Sequence, residues 1–279
     1  MEAIQKLLRE VKDLPPAPQV LPRVLAALND ENTTLDDVGQ LISLEPVLTA
    51  RLLHYCNSAY FRGAEPVTNV SEAIGRVGFQ TIFAIVSVAT GKEMFRLPPE
   101  AGVDQDQLWQ HSLVAAFACK FIAEDLELDS NMLFTAGLLH DLGRVVLAKA
   151  KGAEYGQVLA GDGSATPVID RERAAFNFTH AEVGACLMEN WRLPGSLVQG
   201  VRYHHYPSKA GSEKKHSACV CAGNALSHLF EHPADGLNLD DQELQHALKV
   251  LGITQRHMEN YDEQLQENWS FVKALLAMR

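Results

Sequence analysis

His140 and Asp141 stand side by side in the apolar stretch TAGLLHDLGRVV, and no other pair in the sequence makes a harder chemical demand. A carboxylate among so many aliphatic side chains costs on the order of several kcal/mol unless a cation, a metal or strong donors meet it. Adjacent helical positions point about 100° apart, so the two side chains can bracket one ion lying against a helix. His111 follows Leu108 and precedes Leu113-Val114-Ala115-Ala116, and an antiparallel helix pair would bring it toward the same point. His180 falls in the first turn of a later helix, and His204-His205 ends another in GVRYHHYP. These six residues form the candidate metal-ligand set. Imidazole with carboxylate suits a divalent transition metal: zinc, iron or manganese. Taken alone, His140-Asp141 fits a buried structural pair as well as it fits a ligand pair. His54, His216, His228, His232, His246 and His257 stand in patterned, polar or helix-end contexts and are expected to be structural.

The elements that must position these residues are helices throughout. QVLPRVLAALND carries apolar residues at helical spacing after breaks at Pro15, Pro16 and Pro18. Thr34 with Asp37, Asp104 with Gln107, and Asp240 to Glu243 are cap signals, and Thr179-His180-Ala181-Glu182 is a capping box. Glu45-Pro46 ends one helix and starts the next, Ser71 opens a short one, and Gly78 separates it from FQTIFAIVSVAT. MLFTAGLLHDLGRVVLAKA is apolar nearly all round, which predicts one continuous helix in the middle of the core. Leu97-Pro98-Pro99 is the best boundary between lobes. The fold class is therefore an all-α, multi-helix bundle in two packed lobes.

Composition excludes other classes. The 279 residues, 47% hydrophobic and 21% charged, suffice for a large core. A formal net charge of -11 with no basic run argues against nucleic acid or anionic membrane as a partner. No stretch approaches the roughly 18 apolar residues of a membrane span, and MEAIQKLLREVKD lacks the pattern of a signal peptide. Cys56, Cys119, Cys186, Cys219 and Cys221 are odd in number and irregular in spacing, so they are expected as buried thiols in a cytoplasmic protein.

Two blocks resemble the HDOD domain, a branch of the HD phosphohydrolase superfamily found in bacterial signal transduction proteins. The first runs from LPPAPQVLPRVLAALND through LDDVGQLISLEPVLTARLLHYCNSAYF to VSEAIGRVGFQTI. The second comprises LWQHSLVAAFACKFIA, GLLHDLGRVVLAK and HAEVGACLMENWRLPGSLVQGVRYHHYP. The resemblance implies an HD-like fold with the HDOD domain over 14–210. Its N-terminal lobe would run to about 100 and its HD-like lobe from about 104, with 211–279 as a helical extension packed on the HD-like lobe. It also implies that His111, the pair His140-Asp141, His180, His204 and His205 correspond to the metal ligands of catalytic HD relatives. The distal aspartate of those enzymes falls at Asn224, and Arg144 stands where a lysine often follows the HD pair; both are candidate ligand-binding residues. HHYPSKAG replaces the Gly-Tyr-Pro signature of HD-GYP enzymes. With Asp141 as the only carboxylate, an ion among neutral imidazoles keeps net positive charge, which disfavours a two-metal clamp. The expected function is a non-catalytic output or ligand-sensing module with a vestigial metal site. It would work with unidentified signalling proteins or a small-molecule or nucleotide ligand, as a monomer or homodimer. The alternative is a metal-dependent phosphohydrolase.

Overall fold

The computed structural model describes residues 2–278 apart from 16, 18, 19, 29–31, 59, 62, 64, 99, 100, 162, 164 and 165. Pro16, Pro18 and Pro99, on which the expected breaks partly rest, lie outside the described residues. Every regular element among the described residues is helical. The first six helices are α1 (Glu2–Glu10), α2 (Leu21–Leu28), α3 (Leu35–Ser43), α4 (Pro46–Cys56), α5 (Val70–Val77) and α6 (Phe79–Met94). Then come α7 (Gln105–Asp125), α8 (Ser130–Leu139), α9 (Leu142–Lys151), α10 (Ala153–Ala160), α11 (Val168–Phe176), α12 (His180–Asn190) and α13 (Gly195–Arg202). The chain closes with α14 (Lys214–Glu231), α15 (Gln242–Leu251), α16 (Gln255–Glu267) and α17 (Trp269–Leu276). None of them is long and apolar enough to cross a membrane by itself.

The helices form two compact units. One comprises residues 1–16 and 94–267, the other 17–93 and 268–279. Residues 211–267 thus belong with the HD-like unit, whereas α17 groups with α2–α6 instead of with that unit, where the whole segment 211–279 was expected.

In the smaller unit, α3 starts at a complete capping box, in which Thr34 and Asp37 satisfy each other's backbone donors. Pro46 occupies the first turn of α4, where a missing N–H costs nothing. The cap of α5 is Asn69, which accepts the Glu72 N–H, two residues before the expected Ser71.

The larger unit is built around α7, whose residues from His111 to Cys119 are all buried. Asp104 caps it by accepting the N–H groups of Asp106 and Gln107. Helices α8 and α14 lie against α7, and glycine sets how near they come. A Cβ on Gly137 of α8 would stand 2.8 Å from the Ala115 carbonyl oxygen and 2.9 Å from Cys119 Sγ. One on Gly223 of α14 would stand 3.2 Å from the same carbonyl and overlap Cys119 Sγ. Both helices therefore approach the α7 backbone at one level, and all three carry site residues. All five cysteines are free and buried.

The expected single helix through His140-Asp141 is two helices. α8 ends at Leu139 with His140 as its cap, and α9 begins at Leu142 after Asp141, at φ −95° and ψ 7°. The Arg144 N–H bonds the Asp141 carbonyl at 2.9 Å, three residues back rather than four, so the helical ladder restarts at this corner. The histidine and aspartate lie at the corner, where side chains turn inward from two helix ends.

Candidate metal centre

The corner between α8 and α9 gathers residues from four other helical segments. Asp141 lies fully inside the fold. Its Oδ1 stands 3.1 Å from Arg144 Nε and 3.2 Å from His180 Nε2, and its Oδ2 stands 3.5 Å from His140 Nε2 and 3.9 Å from His111 Nε2. Despite these approaches, neither Asp141 oxygen has hydrogen-bond geometry to a partner, nor do the Nε2 atoms of His140 and His204. Burial opposes ionisation of Asp141, but Arg144, then His140 and His180, outweigh it and hold the carboxyl well below its ordinary range. The structure brings the sequence-expected residues together as two groups of potential ligands, His111–His140–Asp141 and His180–His204–His205. They adjoin one another, with the rings of His140 and His204 5.0 Å apart and those of His180 and His204 5.4 Å apart.

The other nitrogen of each inner ring is engaged. His140 Nδ1 lies 2.7 Å from the Gly137 carbonyl oxygen and His204 Nδ1 lies 2.7 Å from that of Val201. A carbonyl accepts only, so both nitrogens carry the proton and both Nε2 atoms are bare lone pairs in the neutral rings. Burial pushes the His140 pKa down to about 4, although Asp141 opposes the shift. It drives His204 well below the ordinary histidine value, with help from neighbouring imidazoles. His180 Nδ1 faces both Glu172 oxygens, at 2.9 Å and 2.7 Å. Burial alone would lower the His180 pKa; Glu172 outweighs it and raises the value to about 8. His205 Nε2 lies 3.1 Å from His180 Nε2.

Local structure explains why His180 arrives here. α12 starts at the expected capping box of Thr179 and Glu182. The helix crosses α9 at Gly143, where a Cβ would overlap the His180 carbonyl oxygen and stand 2.7 Å from Gly184 N. Two residues beyond Asp141, the backbone of α12 occupies the space a side chain would need.

The two candidate ligand-binding residues are engaged within the site. Arg144 Nε lies 3.1 Å from Asp141 Oδ1 with the side chain 18% exposed, and Asn224 Oδ1 lies 2.9 Å from His111 Nε2. A cavity of about 390 Å³ borders His204, His205, Asn224 and His228.

Three acidic or imidazole groups join the site that sequence reasoning had placed elsewhere or passed over. Glu172 is fully buried between His180 and Tyr155, whose hydroxyl donates to it at 2.7 Å. Glu231 Oε2 lies 3.1 Å from His111 Nδ1. The His228 ring, expected to be merely structural, lies 4.6 Å from the His111 ring. Asp141 is therefore not the only carboxylate near the imidazoles, which corrects the charge count made from sequence. A signal existed for each. Glu172 sits three residues after Ile169 on the same buried helix face, and Asn224, Ser227, His228 and Glu231 recur at helical spacing along α14.

A helical unit with an HD corner facing histidines from neighbouring helices defines the HD-like class of all-α proteins. The profile of the HDOD domain matches residues 14–207, and the chain belongs to that family. An uncharacterized protein of Treponema pallidum (strain Nichols) is 28% identical over 212 residues, 74% of this chain and 40% of that one. The chain thus spans two fifths or less of the length of the curated relatives it matches. Two solved structures share the fold. An HDOD domain protein of unknown function from Geobacter sulfurreducens has a TM-score of 0.74 at 24% identity, with 99% of this chain and 96% of that chain covered. A proposed signal transduction protein from Marinobacter aquaeolei has a TM-score of 0.73 at 21% identity, with 99% and 65% covered.

Proposed function

We propose that the protein is a signal-transduction module that holds one divalent transition metal at Asp141 and responds to that ion, or to a small anion beside it, by binding rather than turnover. One observation carries the reading. Two buried imidazole nitrogens and both oxygens of a buried carboxylate converge with no hydrogen bond among them. Leaving such groups unmet costs about 1–3 kcal/mol each, and more for the charged one. His140, Asp141, His180 and His204 would hold the ion, with His205 beside them, and zinc, iron and manganese all accept this donor set. A bound ion supplies a Lewis acid that polarises water or an anionic oxygen.

The chain's own residues fix the rest. Carbonyls of Gly137 and Val201 set the tautomers of His140 and His204, and Glu172 orients His180. Arg144 steadies Asp141, and its remaining guanidinium N–H groups would be the donors for an anion bound beside the ion.

Binding without turnover is supported by how the acidic groups are spent. Glu172 is committed to His180 and Tyr155, and Glu231 lies on the edge of His111 away from Asp141, which leaves Asp141 as the carboxylate among the inner ring nitrogens. Asn224, a neutral amide, engages His111 Nε2. A single ion with one carboxylate lacks the paired-metal clamp that assists phosphodiester cleavage. The acidic net charge of -11 fits a protein or small-molecule partner better than a polyanion.

The second reading, a metal-dependent phosphohydrolase, draws on the cavity of about 390 Å³ beside His204 and His205. Incubating zinc-, manganese- or iron-loaded protein with bis(p-nitrophenyl) phosphate decides between them. The expected rate equals that of His140→Ala. Metal-dependent hydrolysis that disappears in His140→Ala would replace the first reading with the second.

A further inference from the structure

The edge of His111 that faces away from Asp141 is where the site holds more than the family comparison accounts for. His111 Nδ1 lies 3.1 Å from Glu231 Oε2, and His111, His228 and Glu231 offer ligand atoms that all lie within 4.8 Å of one another. The Glu231 side chain is only 9% exposed, and its Oε1 is buried without a hydrogen bond. A buried carboxylate with one bare oxygen beside two imidazoles is a donor set that suits a divalent transition metal. The opposite nitrogen of the ring, Nε2, is engaged by Asn224 Oδ1 at 2.9 Å. Either a proton or a metal ion can bridge His111 Nδ1 and Glu231 Oε2, and a metal ion there is also within reach of His228. The Ser227 hydroxyl donates to the His111 carbonyl oxygen at 2.9 Å and its oxygen lies 3.1 Å from His111 Nδ1, which anchors α14 to α7 beside the same ring edge.

From this arrangement we infer that the protein has a second divalent transition-metal site, formed by His111 Nδ1, His228 and Glu231 on α7 and the last turn of α14. The site rests on and deepens the metal-binding reading above but uses a different ring edge, with His228 and Glu231 as added ligands. The imidazole ring of His111 separates the two positions, so they are two independent binding sites rather than the close pair, about 3.5–4 Å apart, that clamps a scissile phosphate. His228 borders the cavity that also reaches His204 and His205, which gives an ion a path to the site.

Titrating metal-stripped protein with Co²⁺ tests the assignment, with equivalents counted by visible absorption and by elemental analysis after desalting. Two equivalents are expected for the wild type. His140→Ala should lose one and keep the other, while Glu231→Gln and His228→Ala should each lose the one that His140→Ala keeps. Glu231→Gln is nearly isosteric and His228 is partly solvent-facing, and far-ultraviolet circular dichroism checks that each variant folds. A wild type that binds one equivalent, lost in His140→Ala and unchanged in the other two, would overturn this second site and leave the first intact. No tight binding to the wild type would remove both. A second equivalent that survives both Glu231→Gln and His228→Ala would place that ion elsewhere and refute the assignment.

Discussion

At the scale of single residues, the site depends on groups that fix which ring nitrogen is free. Glu172 is the most telling, because it holds the His180 proton on Nδ1 and so aims Nε2 at Asp141. Glu172→Gln keeps an acceptor but removes the charge, and metal affinity measured by chelator competition should fall roughly 10–100-fold. Glu172→Ala removes the acceptor as well and leaves a buried N–H unmet. Thermal unfolding should then show a loss of about 1–3 kcal/mol beyond the Gln variant. The convergence of His111, His140, Asp141, His180, His204 and His205 was legible because histidine and aspartate are conspicuous beside apolar helical runs. Glu172 was not, since DRER reads as a solvated charge run and only its register with Ile169 reveals the inward face. Glu231 and His228 were hidden likewise by the polar ending HLFEHP of α14.

At the scale of elements, close helix crossings and caps set the geometry. Gly143→Ala should force α12 away from α9 and carry His180 with it. The account predicts at least a 10-fold loss of metal affinity with helical content retained, measured by the same chelator competition; unchanged affinity would show that the crossing does not position His180. The start of α12 yields a pH test. Glu182 accepts the Thr179 N–H and pairs with Arg173 at 2.9 Å. Burial opposes ionisation, but Arg173 and the Thr179 donors prevail, so its folded-state pKa lies below the ordinary 4.5. A depressed carboxyl contributes stability that is complete above the unfolded-state value and is lost as pH falls through the folded-state one. Glu182→Gln should therefore cost about 1 kcal/mol at neutral pH, a cap-sized effect, and the difference from wild type should shrink below about pH 4. Equilibrium unfolding across pH 3–7 measures both. Caps at Thr34, Asp104 and Thr179 were readable because the hydroxyl or carboxylate that satisfies the first N–H groups is a local signal. The break at His140-Asp141 was not, because residues 130–151 keep an apolar helical pattern and only the packing of α9 on α12 demands a corner.

At the scale of the whole molecule, the chain folds as two units whose boundaries interleave, residues 1–16 with 94–267 and 17–93 with 268–279. Neither return is visible in a sequence read in order, since nothing local to α1 or α17 states which unit buries its apolar face. The metal reading predicts that ligation steadies the larger unit selectively. At about a hundredfold excess of free ion over Kd, linkage adds roughly 2.7 kcal/mol. Hydrogen exchange should slow in α8, α9, α12 and α13 on adding metal and stay unchanged in α3–α5. The most direct test is anomalous diffraction at the absorption edge of the metal found in protein purified without chelator. The account predicts a peak at about 2.0–2.2 Å from Asp141 and from the Nε2 atoms of His140, His180 and His204. A well-ordered site without any such peak, with these four side chains bonded to one another or to water, would contradict it.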